Sequence, residues 1–197
     1  MYLSTKQRSD RMNLFYEDFP DSIEVLGKKV RIITDFREYI KLLDMINDDD
    51  LSKAEKVYLL KGYFLDEIPD LDEAIEQLCG FVSMDYMEDG KRIEESEFVR
   101  SKPLFSFSVD YPYILSGFLH DYSIDLCTVE YMHWWKFRML FQGLSGDTEI
   151  KQRIMYRSID LNTIQDKEER NRIRKIQNEI QLPQGVLSDY EIGDAFA

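Results

Sequence analysis

The chain has 197 residues, with 38 Asp and Glu against 25 Lys and Arg, a formal net charge of −13. A protein of that sign is repelled by nucleic acid unless a basic face is segregated from the rest. It is long enough to bury roughly 70% of its unfolded surface without staples, and its two cysteines, Cys79 and Cys127, give no disulfide framework.

The charge is unevenly placed. Residues 1–100 carry 24 acidic and 14 basic side chains, whereas Met132 to Lys175 carries 10 basic and 6 acidic ones. That later stretch is the one place to look for a nucleic-acid-binding face. The opening MYLSTKQRSDRMN is polar and unlike a signal peptide, so a cytosolic protein is expected. Residues 1–20 read as an N-terminal segment. Residues 21–183 read as a single domain with a flexible loop at about 84–104, and 184–197 as a flexible tail.

Ile23-Glu24-Val25 and Val30-Arg31-Ile32 alternate around Gly27-Lys28, which predicts a two-residue hairpin turn with Gly first. So small a hairpin needs a helix to cover it. Asp35-Phe36-Arg37-Glu38 has the form of a capping box, with Phe36, Tyr39, Ile40 and Leu43 following on one face. Asp48-Asp49-Asp50 lacks the spaced oxygen ligands and the glycine of a calcium loop, and reads as a solvated link. Ser52 and Glu55 form a second capping box, opening a helix to about Phe64. Asp70 to Glu73 opens a third, with Leu71, Ala74, Ile75, Leu78 and Val82 as its buried face. Leu104, Phe105, Phe107 and Val109 suit a short extended piece.

The stretch that organises the rest is Thr128 to Leu144, which contains both tryptophans. Trp134, Phe137, Phe141 and Leu144 form one helical stripe and Met132, Trp135 and Met139 a second, leaving Lys136, Arg138 and Gln142 on a narrow polar strip. A helix apolar around most of its circumference is usually central. Thr128 or Asp125 would cap its start, and the Gly143 to Gly146 region would stop it. The preceding segment places Tyr111, Ile114, Leu115, Phe118 and Tyr122 on one face, so the two helices read as a hairpin around which the rest packs. The aromatic run reads as core rather than as a ligand-stacking site.

Asp147 is placed to cap a helix containing Ile150, Ile154 and Met155. The last helix, about Asp166 to Gln181, has few apolar positions, Ile173, Ile176 and Ile180, and its pairs Asp166–Arg170 and Glu168–Arg172 fall at i,i+4. A narrow isoleucine stripe on a charged helix fits docking on the domain or on a partner. Arg170, Arg172, Ile173, Arg174, Ile176 and Ile180 are therefore the candidate partner-binding residues. The expected fold class is mainly α (α+β), about seven helices around an aromatic central helix with a small N-terminal β-hairpin.

Chemistry-bearing motifs are sparse. There is no GxGxxG, Walker-type phosphate loop, CxxC or HExxH. His120 and His133 could meet in a hairpin with Asp121 or Glu130 beside them, but satisfied structural histidines fit the pattern better than a metal site. Cys127 lies six residues from His133, poor spacing for an activated pair. No catalytic residue, cofactor or metal is assigned, and an enzyme is disfavoured.

Several segments, in order, resemble the bacteriophage gp-fifteen family of tailed phages and prophages of Gram-positive bacteria. They are Pro20 to Glu24 leading through the hairpin to Thr34-Asp35-Phe36-Arg37, the Glu67-Ile68-Pro69 turn, and Asp110 to Asp125. His133 to Phe137 with Gly143-Leu144, and Tyr156 to Asp160, complete the set. The likeness covers roughly residues 12 to 183 and lies in the combination, each piece alone being common. It implies tail morphogenesis in a siphovirus, as a non-enzymatic tail assembly chaperone in the host cytoplasm. The implied partners are the tape-measure protein and the tail-tube protein, with self-association along the client. A structural component retained in the virion is the alternative, and a nucleic-acid-binding regulator a third.

Overall fold

The computed structural model describes residues 14–84 and 103–183. The expected loop at about 84–104, the tail 184–197 and most of the N-terminal segment 1–20 fall largely or wholly outside the described residues. Within them the protein is mainly α, with seven α-helices and one antiparallel β-hairpin. The described chain forms two compact units, one of residues 14–84 with 133–135, the other of 103–132 with 136–183.

The first unit opens with strands β1 (Ser22–Val25) and β2 (Lys28–Arg31), in register Ile23↔Val30 and Val25↔Lys28. The hairpin lies where the alternation placed it, but the turn is Leu26-Gly27 rather than Gly27-Lys28. Both turn residues have positive φ, 49° and 74°, the geometry of a type I′ turn. The Leu26 N–H donates to the Glu73 carboxylate at 3.1 Å, which fixes the turn one residue earlier than expected. Residues 63–65 then run beside β2, with Ile33 N–H donating to Tyr63 O and Leu65 N–H to Arg31 O.

Helices α1 (Phe36–Asn47), α2 (Lys53–Leu60) and α3 (Leu71–Ser83) complete this part of the chain. Ser52 and Glu55 close the expected capping box of α2. Asp35 caps α1 through Arg37 N–H instead of the Glu38 position, its carboxylate being shared with the Arg37 guanidinium. Asp70 caps α3 through Glu73 N–H. The buried face of α1 is Phe36, Tyr39, Leu42, Leu43 and Ile46; that of α3 is Ala74, Leu78, Phe81 and Val82. Ile40, Leu71 and Ile75, expected inside, are half-buried. As the hairpin required, α3 packs on β1.

The second unit contains α4 (Tyr111–Tyr122), most of α5 (Trp134–Gln142), α6 (Glu149–Ser158) and α7 (Lys167–Glu179). The expected extended piece at 104–109 is instead irregular chain ending in a turn. Asp110 Oδ2 accepts from Ser106 N–H, and Asp110 N–H donates to Ser106 O. The central helix begins six residues later than the sequence suggested. Asp125 ties Cys127, Thr128 and Val129 into a turn through their N–H groups. His133 then pairs in a bridge with Asp35, and Trp134 N–H donates to Thr34 O at 2.7 Å, which holds the backbone extended up to the helix.

Once started, α5 buries the stripes expected of it except at Met139, which is half-buried. Trp134, Trp135, Phe137, Phe141 and Leu144 are all buried. Arg138, expected on the polar strip, is buried too, while Lys136 and Gln142 are exposed. In the second unit Phe118 stacks on Phe137 with centroids 5.3 Å apart, and Phe105 and Phe107 lie against Phe141. Helix α4 packs on α6 at Gly117, where a Cβ would come within 3.3 Å of Leu144 and 3.7 Å of Ile150. Thr148, not Asp147, stands at the N-cap of α6, without a side-chain cap bond.

Candidate interaction surface

The aromatic centre is closed. The Trp134 indole N–H donates to Val82 O at 3.0 Å and that of Trp135 to Phe81 O at 2.8 Å. Those carbonyls belong to the last turn of α3, where a helix has no partners of its own. Tyr39, Phe81 and Phe19 fill the space between, with Phe19 stacked on His133 at 4.7 Å. The tryptophans thus terminate a neighbouring helix and are unavailable to stack on a ligand. Pattern reading treats indole as apolar, so this role leaves no signature in the sequence.

His133 is the cap of α5. Its Nδ1 accepts the Trp135 N–H at 3.0 Å and its Nε2 faces Pro20 O at 3.0 Å. An acceptor on one nitrogen and a carbonyl beside the other require the neutral ring with its proton on Nε2. Burial pushes the ring's pKa down, in the same direction. His120, in the second unit, is exposed and pairs with Asp121 at 2.7 Å, which raises its pKa. Asp121 also accepts from the N–H and hydroxyl of Ser145, and these bonds lower its own pKa. Asp121 thus joins the exposed His120 ring to the start of the loop that follows α5. Among the described residues no group of three or more His, Cys, Asp or Glu side chains could hold a metal ion.

The six residues singled out on the last helix divide by role. Ile173 is 3% exposed and Ile176 and Ile180 are half-buried, on a helix that packs against α6. Ile173 is thereby committed to holding α7 in its own unit. Arg170 donates to Ile164 O at 2.6 Å rather than pairing with Asp166, which is occupied as the N-cap. Arg172 pairs with Glu169 at i,i+3, not with Glu168. Arg174 contacts only the Asn171 amide oxygen, and neither it nor Lys175 has a carboxylate partner among the described residues. What α7 offers to solvent is a cationic edge, Arg172, Arg174 and Lys175, beside the half-exposed Ile176 and Ile180.

A second exposed feature lies on α4. Ile114, Gly117 and Phe118 face inward, so the apolar residues on the adjoining face are left in solvent. Tyr111 is 58% and Leu119 57% exposed, with half-buried Leu115 midway between them. These positions lie at i, i+4 and i+8 and form one stripe along the helix. Tyr111 and Leu115 were expected on the core face of this helix, and Leu119 was not singled out in the sequence.

A family profile described as Bacteriophage Gp15 protein matches residues 15–182. The chain belongs to that family. This makes it a phage-encoded structural or morphogenesis protein. The Gp15 match spans both units, and so includes the hairpin, the histidine cap and the α4 stripe. Comparison with curated proteins and with solved structures gives no significant match. Among the described residues no helix is long and apolar enough to cross a membrane.

Proposed function

We propose that this Gp15-family protein is a non-enzymatic tail assembly chaperone that binds the tape-measure protein and keeps it soluble until the tail tube forms. The observation that carries the reading is the solvent-facing stripe of Tyr111, Leu115 and Leu119 on a chain of net charge −13. An apolar helix face of this spacing lies naturally against an amphipathic helix. The negative charge keeps the resulting complex dispersed by repulsion. Several copies would be needed along an extended helical client, which makes self-association part of the reading.

The test is co-expression with the phage's tape-measure protein, followed by affinity purification and measurement of the complex's mass. The expected result is a soluble complex from a client that is insoluble alone, with Leu119→Lys lowering its yield while leaving the thermal midpoint of the free protein unchanged. No complex with a demonstrably folded protein would end the chaperone reading. Stoichiometric recovery in purified virions would move it to a retained tail component.

A further inference from the structure

The chain leaves α7 beside the start of the α4 stripe. The Arg157 guanidinium donates to Ile180 O at 2.7 Å, and both its terminal nitrogens bind the carboxylate of Asp110, the residue before Tyr111. The described residues end at Pro183, just past Ile180, and residues 184–197 follow.

The sequence of those residues suits the stripe. QGVLSDYEIGDAFA carries Val186, Leu187, Tyr190, Ile192 and Phe196, with Asp189, Glu191 and Asp194 among them and no Lys or Arg. From Tyr111 to Leu119, α4 has no charged side chain. The charges held against this helix are matched: Asp110 by Arg157, Asp121 by His120, and Arg153, over the Tyr113 ring, by Glu149. The acidic residues of the segment therefore meet no like charge on the stripe itself. Its length is sufficient. The stripe runs about 12 Å along the helix, and residues 184–192 reach about 30 Å when extended. A client or a second copy must come from solution, and copies of net charge −13 repel one another. A tethered segment acts at an effective concentration on the order of mM.

We infer that residues 184–192 lie on the α4 stripe of their own chain when no client is bound, with Val186, Leu187 and Tyr190 against Tyr111, Leu115 and Leu119. The segment is then a built-in competitor. A client gains the stripe only as the segment leaves it, and the apparent affinity falls with the fraction of chains whose stripe is open. That consequence rests on the function proposed above, whereas the contact itself is independent of the client.

The test is photo-crosslinking in the full chain carrying Leu187→p-benzoylphenylalanine, with the products mapped by mass spectrometry. The expected product is a cross-link within one chain to residues 111–119, in a yield independent of protein concentration. Leu119→Lys should abolish it without moving the thermal midpoint, since Leu119 is 57% exposed. No cross-link to residues 111–119, or one formed only between chains, would overturn the inference. In the co-purification with the tape-measure protein, Val186→Ser/Leu187→Ser should tighten binding by up to about tenfold. Unchanged binding would overturn the competition. A client that binds neither form, beside an intact intramolecular cross-link, would end the chaperone reading and leave the contact standing.

Discussion

His133 shows how one side chain can join the ends of a sequence pattern. Its ring caps α5, contacts Pro20 O and stacks on Phe19, all in the neutral form. Protonation would remove the Nδ1 acceptor and place a charge among Phe19, Phe81 and Trp135. Because the folded pKa lies below the unfolded one, near 6.5, the contribution is complete above that pH. It is lost as the pH falls below it toward the folded value. His120 acts in the opposite sense, its raised pKa favouring the folded state more at low pH. The comparison is therefore between wild type and His133→Asn in a His120→Gln background. Denaturant unfolding at pH 7 and pH 5 should show the acid-dependent loss only where His133 is present. Asn retains a neutral cap acceptor, whereas His133→Ala should cost about 1 kcal/mol at pH 7.

Arg157 does at the level of elements what His133 does at the level of a cap. It binds the Asp110 carboxylate through both terminal nitrogens, at 2.7 and 2.9 Å, and also donates to Leu104 O and Ile180 O. One guanidinium thus ties the start of α4, the chain before it and the end of α7 to α6. Removing one member of a buried ion pair costs roughly 3–5 kcal/mol. Arg157→Met should therefore destabilise by that order in urea unfolding, and Arg157→Met/Asp110→Asn by less. Gly143 closes α5 under a different constraint. A Cβ there would lie 3.0 Å from the Tyr122 hydroxyl and 3.3 Å from Met139 O, while that hydroxyl donates to Leu140 O. Gly143→Ala should lose roughly 1–3 kcal/mol through this crowding, measurable in the same unfolding assay.

At the scale of the molecule, the number and type of elements were legible because amphipathic helices and a period-two hairpin announce themselves locally. Ser52-x-x-Glu55 named its own helix start. The start of α5 was not legible: Thr128 to Met132 has helical composition, but Trp134 N–H is claimed by Thr34 O, a hundred residues away. The turn at Leu26 was displaced by Glu73 for the same reason. Ile173 was legible as an interface residue, yet its side chain is buried in its own unit. The α4 face was read as core, and the parts of it that no residue of its own unit covers became the candidate surface. The charge, too, is a whole-molecule property. As the pH approaches the pI of about 4.6, repulsion between copies vanishes. Light scattering should then rise steeply near that pH, and Tyr111→Ser/Leu119→Ser should blunt the rise.

Both indoles of the chain lie in the first unit, sealed against the end of α3, while the second unit contains tyrosine and phenylalanine but no tryptophan. Fluorescence excited at the red edge of the absorption band is therefore a private optical channel of one unit. Emission should be strongly blue-shifted in the native protein and shift to the red when that unit opens. Followed beside far-ultraviolet circular dichroism, to which the helices of both units contribute, it would separate the melting of one half of the chain from that of the whole with no label introduced.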